Sequence, residues 1–216
     1  MKRDAEAGFL KQGVGTETVN IFAQEVNKLM KKGRKIKFHF AGHSTGAVLF
    51  GYLLKGMKNH NIQFETVSLL APACNIDLFS EAHLPVLEGK TKIKINDFRV
   101  YNLRDRLERK DVVGSSLVYR KSLLYLVSNS FEKSKGSTTV WQSEKPLLGM
   151  EKFEDDFNKL NKDIDFVYSN GTTSKETKSL THGGFDNDPQ TMNDILKPVL
   201  KVQRVKYKFS DDNLKY

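Results

Sequence analysis

Residues 35–58 read KIKFHFAGHSTGAVLFGYLLKGMK, and the rest of the chain is organised around the way this stretch folds. In Lys35–Ala41 the apolar Ile36, Phe38 and Phe40 alternate with Lys35, Lys37 and His39, the period of a strand. From Thr45 onward, Ala47, Val48, Leu53, Leu54 and Met57 read as a helix that is apolar on more than one face. The chain must pass from strand to helix within Gly42-His43-Ser44-Thr45-Gly46, which requires a sharp, strained turn. Gly42 and Gly46 are expected to remove side chains where the two elements crowd together, and glycine tolerates the torsions. Ser44 is then left at the apex, with its hydroxyl above the sheet at the amino end of a helix. The helix dipole there favours developing negative charge.

The pattern Gly-x-Ser-x-Gly between a strand and a helix is that of a nucleophile elbow. With 15 glycines and 15 serines in 216 residues, the bare pattern is expected about 0.07 times by chance. The flanking elements make the signal stronger than the pattern alone.

The length is that of one domain, 1–216, large enough to bury a core. The longest apolar runs, Ala47–Leu54 and Leu123–Val127, are too short to span a bilayer. The net charge of +9 raises nucleic acid or an anionic surface as partners. The lysines, however, are scattered, no RNA- or DNA-binding motif accompanies them, and the expected partner is a small molecule. Lys31–Lys37 and Lys201–Lys208 are the densest clusters, the latter within a basic tail, 201–216. Cys74 is the sole cysteine, which rules out an internal disulfide, and it is expected to be a buried thiol after an apolar strand. No histidine–carboxylate cluster has metal-ligand spacing, and no cofactor is implied. The N-terminal MKRDAEAGFLKQG has no apolar core of a secretory signal, so the chain as written reads as cytoplasmic.

Thr16–Lys32 reads as an amphipathic helix, with Val19, Phe22, Val26 and Leu29 at helical spacing and Gly33 after it. Phe64–Ala71, Asp97–Leu103 and Asp163–Asn170 read as further buried strands. Residues 75–96 read as loop and short helix around Pro85, and Arg104–Asp111 as a charged loop. Helices are expected over Ser115–Phe131, Phe153–Leu160 and Pro189–Leu200. Residues 132–150 read as a polar excursion containing Trp141, and 132–162 is open to two readings, a lid or a polar insertion. Strands alternating with helices predict a mostly parallel α/β sheet with helices on both faces.

Function in such sheets gathers at the carboxyl ends of the strands. The elbow strand ends at Ser44. The third strand leads to Asp105, Glu108 and Asp111, and the fourth to Thr181-His182-Gly183-Gly184. The order serine, acid, histidine is that of α/β-hydrolases. His182, next to two glycines and beyond a buried strand, is the candidate base. His39 lies inside a strand, His43 holds the variable position of the elbow, and His60 and His83 fall in polar loops.

On FAGHSTGA, FETVSLLAPA, RVYNLRD and THGGFDND, spread from about Thr16 to Leu200, the chain resembles serine α/β-hydrolases of the esterase/lipase kind. RVYNLRD is also similar to the acid strand of class 3 lipases, where an aspartate follows an asparagine by three residues. The resemblance implies an α/β-hydrolase fold and a catalytic triad of Ser44, His182 and Asp105, with Asp111 as the other choice of acid. It also implies an oxyanion donor in the Thr45 backbone N–H. In that family several strands precede the elbow, whereas only 34 residues do so here, so the fold is expected to be N-terminally truncated, without the loop that supplies a second donor. The expected activity is cleavage of a carboxylic ester or related acyl bond. Acyl transfer by the same triad, or a catalytically silent binding protein of the same fold, are the other readings. Substrate specificity and oligomeric state are not set by these motifs.

Overall fold

The computed structural model describes residues 2–9, 13–112, 119–131, 144–171 and 175–214. In chain order the elements are α1 (Lys2–Gly8), α2 (Val14–Lys31), β1 (Phe38–His43), α3 (Gly46–Met57) and β2 (Gln63–Leu70). A helical run follows, α4 (Ile76–Leu78), a π turn (Phe79–His83) and α5 (Leu84–Leu87). Next come β3 (Lys94–Ile95), β4 (Phe98–Leu103), α6 (Asp105–Glu108), α7 (Leu123–Leu126), α8 (Glu154–Asn158), β5 (Asp165–Ser169) and α9 (Pro189–Leu200).

The sheet runs β1-β2-β4-β5, with β3 pairing to β2 ahead of β4. Every strand pairing among the described residues is parallel, and helices flank the sheet. This bears out the α/β class with a mostly parallel sheet. β1 stands at one end of the order, hydrogen-bonded to β2 alone among the described strands. It begins at Phe38 rather than Lys35 because Phe38 pairs with Phe64 and β2 itself starts only at Gln63. Residues before Phe38 therefore have no strand beside them to complete their ladder.

One core joins α2, α3, the helical run and the sheet through Val19, Ala47, Phe50, Leu54, Val67, Phe79 and Phe98. The buried Phe50 ring stacks on Phe40 at 4.1 Å between centroids, so strand and helix on either side of the elbow share one contact. A second core gathers Leu70, Tyr101, Leu103, Leu124, Leu147, Met150, Phe185 and Ile195.

Two expectations change. His83 is not in a polar loop: it is fully buried, its ring stacked on Phe79 at 5.6 Å. Pro85 lies in the first turn of α5, in keeping with the short helix expected around it, a placement proline tolerates because the first-turn N–H has no intrahelical partner. Residues 146–150 are not part of a polar excursion either. Leu147, Leu148 and Met150 are buried, and the segment bridges Asn75 and Leu103. Asn102 holds it by donating to the Leu148 carbonyl at 2.9 Å. A β-carbon on Gly149 would lie 2.6 Å from the Pro72 carbonyl oxygen. The segment is a strap against the carboxyl ends of β2 and β4. Trp141 and the rest of 132–143 lie outside the described residues, as do 115–118 of the helix expected from Ser115. The described part of that helix starts only at Leu123, capped by the Ser122 hydroxyl. Cys74 is buried, as expected.

Candidate active site

The elbow takes the form required by its sequence. Ser44 has φ +52°, a left-handed conformation that a side chain rarely adopts. The strained residue is pinned from both sides. Its N–H donates to the Leu70 carbonyl at 2.8 Å, and its carbonyl accepts from Ala73 at 3.0 Å. Both partners sit at the end of β2, so the neighbouring strand fixes the serine. Thr45 follows at the amino end of α3.

Crowding at the turn falls on one glycine rather than two. A β-carbon on Gly42 would lie 2.7 Å from the Phe40 ring and 3.2 Å from the Gly46 carbonyl carbon, whereas one on Gly46 would meet nothing within 4 Å. The Phe40 ring is held by its stack on Phe50 and cannot swing clear. Gly42→Ala is therefore expected to destabilise the fold by about 1–3 kcal/mol. Gly46→Ala should be tolerated within about 0.5 kcal/mol, and chemical denaturation of the two variants checks the contrast.

The loop after β5 brings His182 to the serine. Its Nε2 lies 2.9 Å from the Ser44 Oγ. The imidazole is buried, and this burial, with the His43 ring beside it, pushes its pKa down to about 4. It is neutral at pH 7, so Nε2 is able to accept a proton. The peptide of His182 is clamped at both ends. Its N–H donates to Asp111 Oδ2 at 2.6 Å, and its carbonyl oxygen accepts from His43 Nε2 at 2.8 Å. His43 is thus a site residue that the sequence reading passed over. Only its place one residue before the serine could have drawn attention to it.

The three acids after β4 have three different environments. Asp105 does not meet His182. Its carboxylate accepts from the Tyr125 hydroxyl at 2.5 Å and from Arg109 Nε at 2.6 Å. Partial burial opposes its ionisation, but these two donors outweigh that and hold its pKa below the ordinary value. The reason it misses is local. Residues 105–108 coil into the helical turn α6 instead of a loop, and the turn aims Asp105 at its own i+4 partner, Arg109. Asp111, beyond the turn, is the carboxylate that reaches the His182 residue. Glu108 is buried between them, with no hydrogen-bond partner for either oxygen among the described residues. Burial pushes its pKa up to about 8 against the opposing effect of Ser122, with Asp111 and Asp105 adding to the rise. It is a neutral acid at pH 7. The remaining imidazole nitrogen, His182 Nδ1, is buried and likewise without a partner among them.

These shifts set how stability depends on pH. Burial also lowers the His83 pKa to about 4. Both His83 and His182 bind a proton near pH 6.5 when unfolded but only near 4 when folded. Each contributes stability that is complete above pH 6.5 and is lost as pH falls toward 4. Glu108 acts in the opposite sense. It keeps its proton up to about pH 8 when folded but loses it near 4.5 when unfolded, so its share of stability is lost as pH rises from 4.5 to 8. Between pH 4.5 and 6.5 the unfolded chain binds a net one proton more, and between 6.5 and 8 one fewer. Stability is therefore expected to peak near pH 6.5 and to fall on either side by about 1.4 kcal/mol per pH unit. Urea unfolding across pH 5–8 measures this, and Glu108→Gln should flatten the alkaline limb and about double the slope of the acid limb, where its proton no longer offsets those of the two histidines.

No group of three or more metal-binding side chains occurs among the described residues, and no helix there is long and apolar enough to cross a membrane. Comparison with family models, curated proteins and solved structures gives no match.

Proposed function

We propose that the chain is a serine hydrolase of α/β-hydrolase type that cleaves a carboxylic ester or related acyl bond through an acyl-enzyme. The observation that carries this is the contact of a strained Ser44 with a buried, neutral imidazole at 2.9 Å. A serine held at a left-handed turn between a parallel strand and a helix, with a base on its hydroxyl, is the arrangement that activates an alcohol as nucleophile. The strand order, in which the elbow strand is followed by those leading to the acid and the histidine, supports the fold type.

In this mechanism Ser44 Oγ attacks the acyl carbonyl carbon while its proton passes to His182 Nε2. The oxyanion of the tetrahedral intermediate accepts a hydrogen bond from the Thr45 N–H at the helix end. The intermediate collapses, the carbon–oxygen bond to the alcohol breaks, and His182 returns the proton to the departing oxygen. Water then repeats the sequence on the acyl-enzyme. We assign the acid to Asp111 in place of Asp105. Its carboxylate already binds the His182 main chain, and an oxygen of it brought to Nδ1, which has no partner among the described residues, would stabilise the imidazolium. Hydrogen bonds of this kind often close only when substrate is bound. His43 and Asp111 together hold the loop that carries the base.

A fluorophosphonate probe tests the reading. Stoichiometric labelling that disappears in Ser44→Ala supports it. Absence of labelling in correctly folded wild-type protein overturns it in favour of a silent binding protein, the reading to which an Nδ1 without a partner among the described residues lends weight.

A further inference from the structure

The basic run after α9 is docked on that helix. Val205 and Leu214 are buried, and the Asn193 side chain of α9 pairs with the backbone of one tail residue as a neighbouring strand would. Its Nδ2 donates to the Phe209 carbonyl at 2.9 Å, and its Oδ1 accepts from the Phe209 N–H at 2.9 Å. Docked in this way, the tail and α9 form an open concavity of about 350 Å³ that Lys175, Lys197, Arg204 and Lys208 line with Gln190 and Gln203.

Asp194 is the one carboxylate in this lining, and it is already engaged. It accepts from Lys197 at 2.8 Å, from Arg99 at 3.2 Å and from the Tyr101 hydroxyl at 2.9 Å. Lys175, Arg204 and Lys208 have no carboxylate within ion-pair distance among the described residues. Lys175, Arg204 and Lys208 are exposed, and three cations around one concavity raise the local potential that draws an anion. A guanidinium beside two ammonium groups suits the oxygens of a phosphate, which accepts from all three.

We infer that this concavity binds a small phosphate-bearing anion, held by Lys175, Arg204 and Lys208. The volume admits a phosphomonoester with a modest organic group. No aromatic side chain lines it, the exposed Tyr207 ring lying outside the lining. This argues against stacked bases and for a compact anion. None of these residues belongs to the Ser44–His182 site, so the inference stands or falls separately from the hydrolase reading.

Calorimetric titration of the full chain with inorganic pyrophosphate tests it, alongside flotation with phosphatidylcholine vesicles made with and without phosphatidic acid. Saturable one-site pyrophosphate binding is expected, weakened at least about tenfold in the double variant Arg204→Gln/Lys208→Gln. Asn193→Ala keeps every charge but releases the tail, and should weaken binding comparably. Lys58→Gln/Lys90→Gln, away from the concavity, should leave it unchanged. Flotation that requires phosphatidic acid and is lost in the Arg204/Lys208 variant assigns the anion to a lipid headgroup. Pyrophosphate binding without flotation assigns it to a free phosphate compound. Failure to saturate overturns the inference, as does equal weakening by the distant pair, which marks a diffuse charge effect. Tighter binding of a single-stranded oligonucleotide that falls in Tyr207→Ala also overturns it, in favour of nucleic acid. Unchanged thermal midpoints of the exposed-lysine and Arg204 variants show that folding is not the cause.

Discussion

Ser44→Ala is expected to lower kcat toward a soluble p-nitrophenyl ester by about 10⁴–10⁶-fold, with residual turnover from binding and the remaining oxyanion donor. His182→Ala should fall in the same range. The double variant should be hardly worse than either single one, because the two act as one unit. Losses that multiply would instead mean that serine and histidine act separately, against the mechanism. A structural readout accompanies the kinetic one. Alanine at 44 keeps the left-handed backbone at φ +52°, whereas glycine relaxes it. Ser44→Gly should be more stable than Ser44→Ala by up to about 1 kcal/mol, while equally inactive. Urea denaturation of the pair then shows whether strain is stored at the nucleophile.

The second large effect separates the two aspartates. Asp111→Asn should reduce kcat by about 10³–10⁴-fold with little change in KM, since the acid is needed where the imidazolium forms. Asp105→Asn should alter kcat by less than about tenfold and cost about 1 kcal/mol of stability, through weaker bonds to Tyr125 and Arg109. The reverse ranking would restore Asp105 as the acid. The pH profile supplies a check that a purely structural role would not move. With the His182 pKa near 4, the acid limb of wild-type kcat/KM is expected near pH 4 rather than 6.5.

The two aspartates also show where reading the sequence stops. Asp105 stands at the tip of its strand, three residues after Asn102, and the pattern favours it. Coiling of residues 105–108 into a helical turn was not legible in a stretch dense with Arg, Asp and Glu, since such residues suit a loop as well as a helix. That one turn redirects Asp105 to Arg109 and leaves Asp111 to bind the main chain of His182. His83 was misplaced for a related reason. Its apolar neighbours Phe79 and Ala82 follow helical spacing, but in a short stretch that mixes Asn75, Asp77, Ser80 and Glu81 with them the spacing does not show that the whole turn is buried.

What the sequence determined by itself is local and periodic. Alternating apolar residues from Ile36 to Phe40, the glycine-bounded turn and the apolar helix after it were enough to specify a strand, a strained serine and a helix, because backbone sterics and side-chain burial act over a few residues. The order of later strands and helices then called for a parallel sheet. Chain order and resemblance pointed to Ser44 with His182, but only the tertiary structure decided which other distant groups meet: the hold of His43 and Asp111 on the His182 main chain, the burial of Glu108, and the strap at 146–150. Those depend on angles accumulated over loops and helical turns, where a change of one residue moves a side chain by several ångströms, so no short-range pattern encodes them.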